Sequence, residues 1–191
     1  MTAPERPTAQ AHREVAAVLR PGEWAIDATA GNGYDTVFLA GLVGDSGRVL
    51  AFDVQAEAIA AARARVAAVA WDGRVEFIHG SHAGLAGHVA PARVAAVMFN
   101  LGYFPGGDHR VITRTADTLQ ALDAARRVLR PGGILTVVCY PGHPGGDEEA
   151  AAVAAWAAAL DPAEDVAEIF RRPATPRPSP FLVRVRRGGP C

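Results

Sequence analysis

With 191 residues, half of them hydrophobic, and a formal net charge of −1, the chain can fill one α/β core and carries no global field that would attract a polyanion. Its two cysteines, Cys139 and Cys191, exclude a disulfide framework, and a polar N-terminus at residues 1–13 lacks the apolar centre of a signal peptide, so a cytoplasmic protein is expected. No window reaches the roughly 18 apolar residues needed to span a bilayer.

All 19 basic residues are Arg, and Asn32 and Asn100 are the only asparagines. This bias fits a GC-rich coding sequence and marks the surviving asparagines as positions that need amide chemistry. Residues 1–20 read as a helical extension to a single domain covering 1–191.

A buried strand at 24–28 runs into the segment Asp27-Ala-Thr29-Ala-Gly31-Asn32-Gly33-Tyr-Asp35-Thr36, and a helix follows at 35–43. Gly31 and Gly33 permit close backbone approach to a ligand, and the helix start offers unpaired N–H groups. A dinucleotide site would place a third glycine where Thr36 stands and a pyrophosphate at the helix start. Asp27 and Asp35 would repel that pyrophosphate; they suit a cofactor bearing an ammonium group and a sulfonium, unless they only cap the turn and helix. The next strand, 49–53, ends in Asp53, placed to accept hydrogen bonds from ribose hydroxyls.

A helix is expected at 56–70 with Arg63 and Arg65 exposed, then a strand at 75–78. Ser81 and His82 follow, where folds of this kind contact adenine. His79 and His82 have H-x-x-H spacing but no companion ligands, so no metal site is expected. After a strand at 94–99 comes Asn100-Leu-Gly-Tyr103-Phe-Pro-Gly-Gly-Asp108-His109. Ligands of open α/β sheets lie outside the carboxyl ends of the strands. Asn100 can therefore accept a hydrogen bond from a nucleophilic nitrogen and aim its lone pair, while Tyr103 and His109 face substrate and Tyr103 offers a ring for stacking on a base. A helix at 115–129, with Thr115 and Asp117 as caps, should stop at Pro131-Gly132-Gly133.

The strand at 134–139 carries Cys139 as a core residue and delivers Tyr140 and His143 to the same pocket, for substrate contact or proton removal. A helix capped by Asp147 runs to 160. The alternating segment from Phe181 reads as an antiparallel strand near the sheet end, paired with 166–170. The proline-rich loop 171–180 contributes Arg171 and Arg172, and with Arg177, Arg184, Arg186 and Arg187 they form a candidate phosphate-contacting cluster. Strand–helix–strand repeats with continuously apolar strands give a Rossmann-like, mostly parallel seven-stranded sheet with helices on both faces, the class I S-adenosylmethionine-dependent methyltransferase fold.

Asp27-Ala-Thr-Ala-Gly-Asn-Gly, Phe52-Asp53-Val-Gln55, Ser81-His82, the Asn100–Asp108 loop and Tyr140-Pro-Gly-His143 resemble the bacterial rRNA-methylase family, which includes the MnmM-type tRNA methyltransferases. The likeness covers nearly the whole chain. It implies methylation of the 5-aminomethyl group of 5-aminomethyl-2-thiouridine at the tRNA wobble position, recognition of an anticodon loop, and a homodimer. It also implies that Asn32, Asp53, Gln55, Ser81 and His82 hold S-adenosylmethionine. Family members carry an Asn/Gln-rich stretch and a Pro-Pro pair before the last strand, where this chain has Arg171 to Pro180.

Such a substrate makes a physical demand. A primary alkylammonium with a pKa of about 10.4 is neutral in only about one molecule in two thousand at pH 7, and only the neutral amine attacks. Lowering that pKa by about three units corresponds to roughly 4 kcal/mol, supplied by desolvation or a base. Asp108 is the first candidate for that base or for an ammonium anchor, ahead of His109, Tyr140 and His143. Other readings remain: methylation of rRNA or of a small amine, a non-catalytic cofactor-binding protein and, weakest, a nicotinamide oxidoreductase.

Overall fold

The computed structural model describes residues 5–102, 115–142, 144–171 and 178–189. In chain order the regular elements are α1 (Pro7–Ala16), β1 (Trp24–Asp27), α2 (Tyr34–Val43), β2 (Arg48–Asp53), α3 (Ala56–Ala67), β3 (Val75–His79), β4 (Val94–Leu101), α4 (Thr115–Val128), β5 (Leu129–Cys139), α5 (Gly146–Ala158), β6 (Asp165–Phe170) and β7 (Phe181–Arg187). The seven strands form one sheet in the order β3-β2-β1-β4-β5-β7-β6. The pairs from β3 through β5 are all parallel, whereas β7 runs antiparallel between β5 and β6.

Alternate residues of the central strands feed two separate cores. Ile26, Leu50, Phe52, Val97 and Phe99 pack with Ala121, Leu122 and Val128 of α4 and Val153 and Ala157 of α5. Ala25, Val49, Ala96 and Met98 pack on the other face with Ala11 and Val15 of α1 and Leu39 and Val43 of α2. Ala62 of α3 joins Ala30 and Ala51 on that second face. Because both faces are covered, these strands read as continuous apolar runs rather than alternating ones.

Three local readings change. Pro131-Gly132-Gly133 does not end α4: the helix stops at Val128 and the strand begins at once. Val94 pairs with Leu129 but Ala96 with Ile134, so the Pro-Gly-Gly tripeptide bulges out of the first part of β5. Proline has no N–H for the ladder and Gly132 takes φ +70, so the bulge relieves both constraints. Helix α5 starts at Gly146 behind a left-handed Gly145, and Asp147 instead accepts a hydrogen bond from Gly142 N at 3.0 Å. Helix α3 ends at Ala67, and Ala70 adopts φ 58 on the way out.

Helix α1 is part of the core. Ala11, Val15, Val18 and Leu19 are all 7% exposed or less, and Glu14 is ion-paired with Arg184 of β7. Among the described residues no helix is long and apolar enough to cross a membrane.

Candidate active site

The strand order reverses direction at β1 and β4, and a crevice between the carboxyl ends of such strands is where open α/β sheets bind ligands. The ends of β1, β2, β4 and β5 deliver Asp27, Asp53, Asn100 and Tyr140 to this edge.

The glycine turn is held by carboxylates on both sides. Asp53 receives Gly31 N at 2.9 Å on one oxygen and Gln55 N at 2.9 Å on the other. An ionised carboxylate has about four lone-pair sites, so roughly two remain for a ribose diol. Gly31 takes φ +50, and a Cβ there would meet nothing nearer than Thr29 O at 3.8 Å, so the turn presents open backbone to a ligand. Gly33 is the packing glycine: at φ +77 its Cβ would lie 2.6 Å from Ala62 Cα, where α3 closes on the turn. It also precedes α2 without a side-chain cap, leaving the first N–H groups of that helix for water or ligand.

Asp27 is the enclosed carboxylate of the turn. It is fully enclosed, receives Thr36 Oγ1 at 2.5 Å on one oxygen and Thr29 N at 3.1 Å on the other, and so staples β1 to α2. Burial, reinforced by the Asp35 charge, pushes its pKa up to about 7. Thr36 is buried with it. Asp35, in the first turn of α2, differs: its Oδ1 lies 2.6 Å from Nε2 of His12, a residue that carries no motif and that sequence reasoning missed.

Thr29 binds across the crevice, its hydroxyl accepting Asn100 N at 2.7 Å. The Asn100 and Tyr140 side chains share a hydrogen bond, while burial raises the Tyr140 pKa. The phenol thus stands beside Asn100 at the carboxyl end of β5. Asn32 accepts Arg65 Nε on its backbone oxygen at 2.6 Å, and the Arg65 guanidinium lies 3.7 Å from the Tyr34 ring centroid. Arg65 is accordingly a clamp on the turn rather than a free surface charge.

Ser81 caps the short 3-10 helix His82–Gly87 through Ala83 N. His82 is buried, with Nδ1–H donating to Ala28 O at 3.0 Å and Nε2 without a partner among the described residues. Burial holds its pKa down, so the ring is the neutral imidazole. Cys139 is buried with its thiol pushed up to about 12, as befits a core residue.

The arginine cluster is divided. Arg171, stacked 3.9 Å over Phe181, stands at the same end of the sheet as Tyr140, because Phe181 pairs with Cys139. Arg184 is tied to Glu14 and Glu168, and Arg187 to Asp165 at 3.0 Å. Arg186 pairs with Ile134, five residues back along β5 from Cys139. Arg184 and Arg187 are thus ion-paired, whereas Arg171 lies at the other end of β7. Tyr103, Asp108, His109, His143, Arg172 and Arg177 lie outside the described residues.

Residues 49–185 match the family model described as "Putative rRNA methylase". The chain belongs to this family. Over 185 residues it is 36% identical to the chloroplastic tRNA (mnm5s2U34)-methyltransferase of Arabidopsis thaliana, a match covering 90% of this chain and 67% of that protein. An rRNA methylase structure from Clostridium thermocellum superposes with a TM-score of 0.94 at 36% identity, covering 97% of this chain and 100% of that one. A Streptococcus mutans methyltransferase in complex with SAH gives a TM-score of 0.88 at 34% identity, over 97% and 99% of the two chains. The fold is that of the S-adenosylmethionine-dependent methyltransferases, and this member of the rRNA-methylase family is an enzyme of that class.

Proposed function

We propose that this enzyme methylates the 5-aminomethyl group of 5-aminomethyl-2-thiouridine at the tRNA wobble position. The observation that carries the reading is the convergence of Gly31, Asp53 and Asn100 on one crevice, joined to the likeness of the whole chain to the Arabidopsis tRNA methyltransferase.

The site fits S-adenosylmethionine: open backbone at Gly31, a carboxylate with unfilled acceptor sites at Asp53, and no basic side chain in the turn from Asp27 to Thr36. When bound, that cofactor supplies an electrophilic methyl group on a sulfonium. Asp53 and Gln55 hold the ribose, Ser81 and the loop anchored by His82 border the adenine, and the turn with Asn32, Gly33 and Asp35 borders the amino-acid end. Asn100, its backbone set by Thr29 and its side chain by Tyr140, accepts a hydrogen bond from the substrate amine and directs the lone pair at the methyl carbon. Asp108 takes the amine proton or anchors the ammonium before it is lost. Tyr103, His109, His143, Arg171 and Arg172 contact the nucleoside and its backbone.

The test is tritium transfer from labelled S-adenosylmethionine to bulk tRNA lacking the terminal methyl group, followed by nucleoside analysis. Label in 5-methylaminomethyl-2-thiouridine is expected. Label elsewhere, or none although the enzyme binds S-adenosylhomocysteine, would overturn the substrate and send the search to rRNA and small amines.

A further inference from the structure

His12 sits on the buried side of α1 and touches α2 at two points. Its ring lies flat on Phe38, with centroids 3.9 Å apart and planes 3° from parallel. Its Nε2 lies 2.6 Å from Asp35 Oδ1. Phe38 is one helical turn beyond Asp35, so α2 offers a stacking surface and an acceptor on the same face. Stacking fixes the plane of the imidazole and the carboxylate fixes its rotation within that plane.

The Asp35 side chain is only 11% exposed, and among the described residues His12 Nε2 is the side-chain partner that meets it. Its charge reaches both neighbours across the crevice, raising the pKa of Asp27 at the end of β1 and of Tyr140 after β5. Asp35 lies in the first turn of the helix that follows the glycine turn. A carboxylate so little exposed would be costly to leave without a partner.

We propose that His12 is a positioning residue for the amino-acid end of the cofactor, holding the Asp35 carboxylate at the glycine turn, aimed at the cofactor ammonium. The inference rests on the cofactor site proposed above. It adds α1 to that site: the helix contributes a working side chain as well as packing. The rest of α1 is anchored independently by Ala11 and Val15 and by the Glu14–Arg184 pair, so replacing His12 leaves the helix in place.

Calorimetric titration with two nucleosides separates this role from a scaffolding one. S-adenosylhomocysteine carries the amino-acid end, whereas 5′-methylthioadenosine has the same adenine and ribose without it. For His12→Ala we expect S-adenosylhomocysteine to bind about tenfold more weakly, about 1.4 kcal/mol, with 5′-methylthioadenosine unchanged. His12→Gln, whose amide can donate from nearly the position of Nε2, should restore most of the loss. Unchanged S-adenosylhomocysteine affinity in His12→Ala would overturn the proposal, as would equal weakening of both nucleosides. A wild-type protein that binds neither nucleoside would instead bring down the cofactor site itself.

Discussion

Replacing Asp27 with asparagine should remove a pH dependence of stability that this one carboxylate imposes. Asp27 is fully enclosed, and its pKa rises from an ordinary 3.8 to about 7, through burial first and then the Asp35 charge. A carboxyl whose folded pKa exceeds its unfolded one binds its proton more tightly in the native state. Its contribution to stability is full below the unfolded value and is lost as pH climbs through the folded value. With these two values, the wild-type protein should lose about 3 kcal/mol between pH 5 and pH 8 from this group alone. The amide of Asp27→Asn would not titrate. Its oxygen can accept from Thr29 N while its nitrogen donates to Thr36 Oγ1, which then turns to accept, so both hydrogen bonds of the staple survive. Urea unfolding from pH 5 to pH 8.5 on both proteins, in the absence of nucleoside, gives the comparison. His82, held neutral by burial, contributes the opposite slope near its ordinary pKa, but it is common to both proteins and cancels in the difference. The expected result is a variant whose advantage over wild type grows with pH. Parallel pH profiles would refute the reasoning, because they would mean that Asp27 is not the carboxyl that keeps its proton.

Gly33→Ala should destabilise the protein by about 3 kcal/mol, combining left-handed strain with a Cβ 2.6 Å from Ala62 Cα; thermal unfolding should fall by about 9 °C. Gly31→Ala, with nothing nearer than 3.8 Å, should cost only about 1 kcal/mol and serves as the control. Asp53→Ala should weaken S-adenosylhomocysteine and 5′-methylthioadenosine alike, by about 100-fold, since it removes the acceptor for Gly31 N and for the ribose that both share. Calorimetry that showed a loss for only one of the two nucleosides would move Asp53 away from the ribose.

The sheet was legible because burial on both faces leaves an unmistakable trace: strands such as residues 94–99 contain no polar position to dilute the apolar run. The errors fell where chain direction depends on partners rather than on local composition. Pro131-Gly132-Gly133 has the composition of a helix stop, yet it is a bulge, because β5 must advance five residues while β4 advances two. Gly145 and Asp147 show the same exchange. The left-handed glycine opens α5, and the carboxylate that looked like its cap ties down Gly142 instead.

The site divides along a similar line. Asp53 and the two turn glycines announce themselves because backbone geometry at a strand end demands their residue types, and such demands are local. Charge partnership is not. Asp27 and Asp35 look equivalent in sequence, eight positions apart and flanking the same turn. One is sealed against Thr36 and carries no ion pair among the described residues, while the other is met by a histidine 23 residues upstream. Nothing in the Pro7–Ala16 stretch marks His12 beyond its place beside the buried Ala11, a position that helical periodicity alone assigns to packing. The same logic divides the arginines. Arg184 and Arg187 look free in a basic C-terminal run until Glu14, Glu168 and Asp165 arrive from other elements to neutralise them. Arg171, whose described contact is the Phe181 ring, is left at the crevice end of the sheet with its charge available. On the reading proposed above, Arg171 is the described arginine of this run that stands where an anionic substrate backbone would reach the crevice.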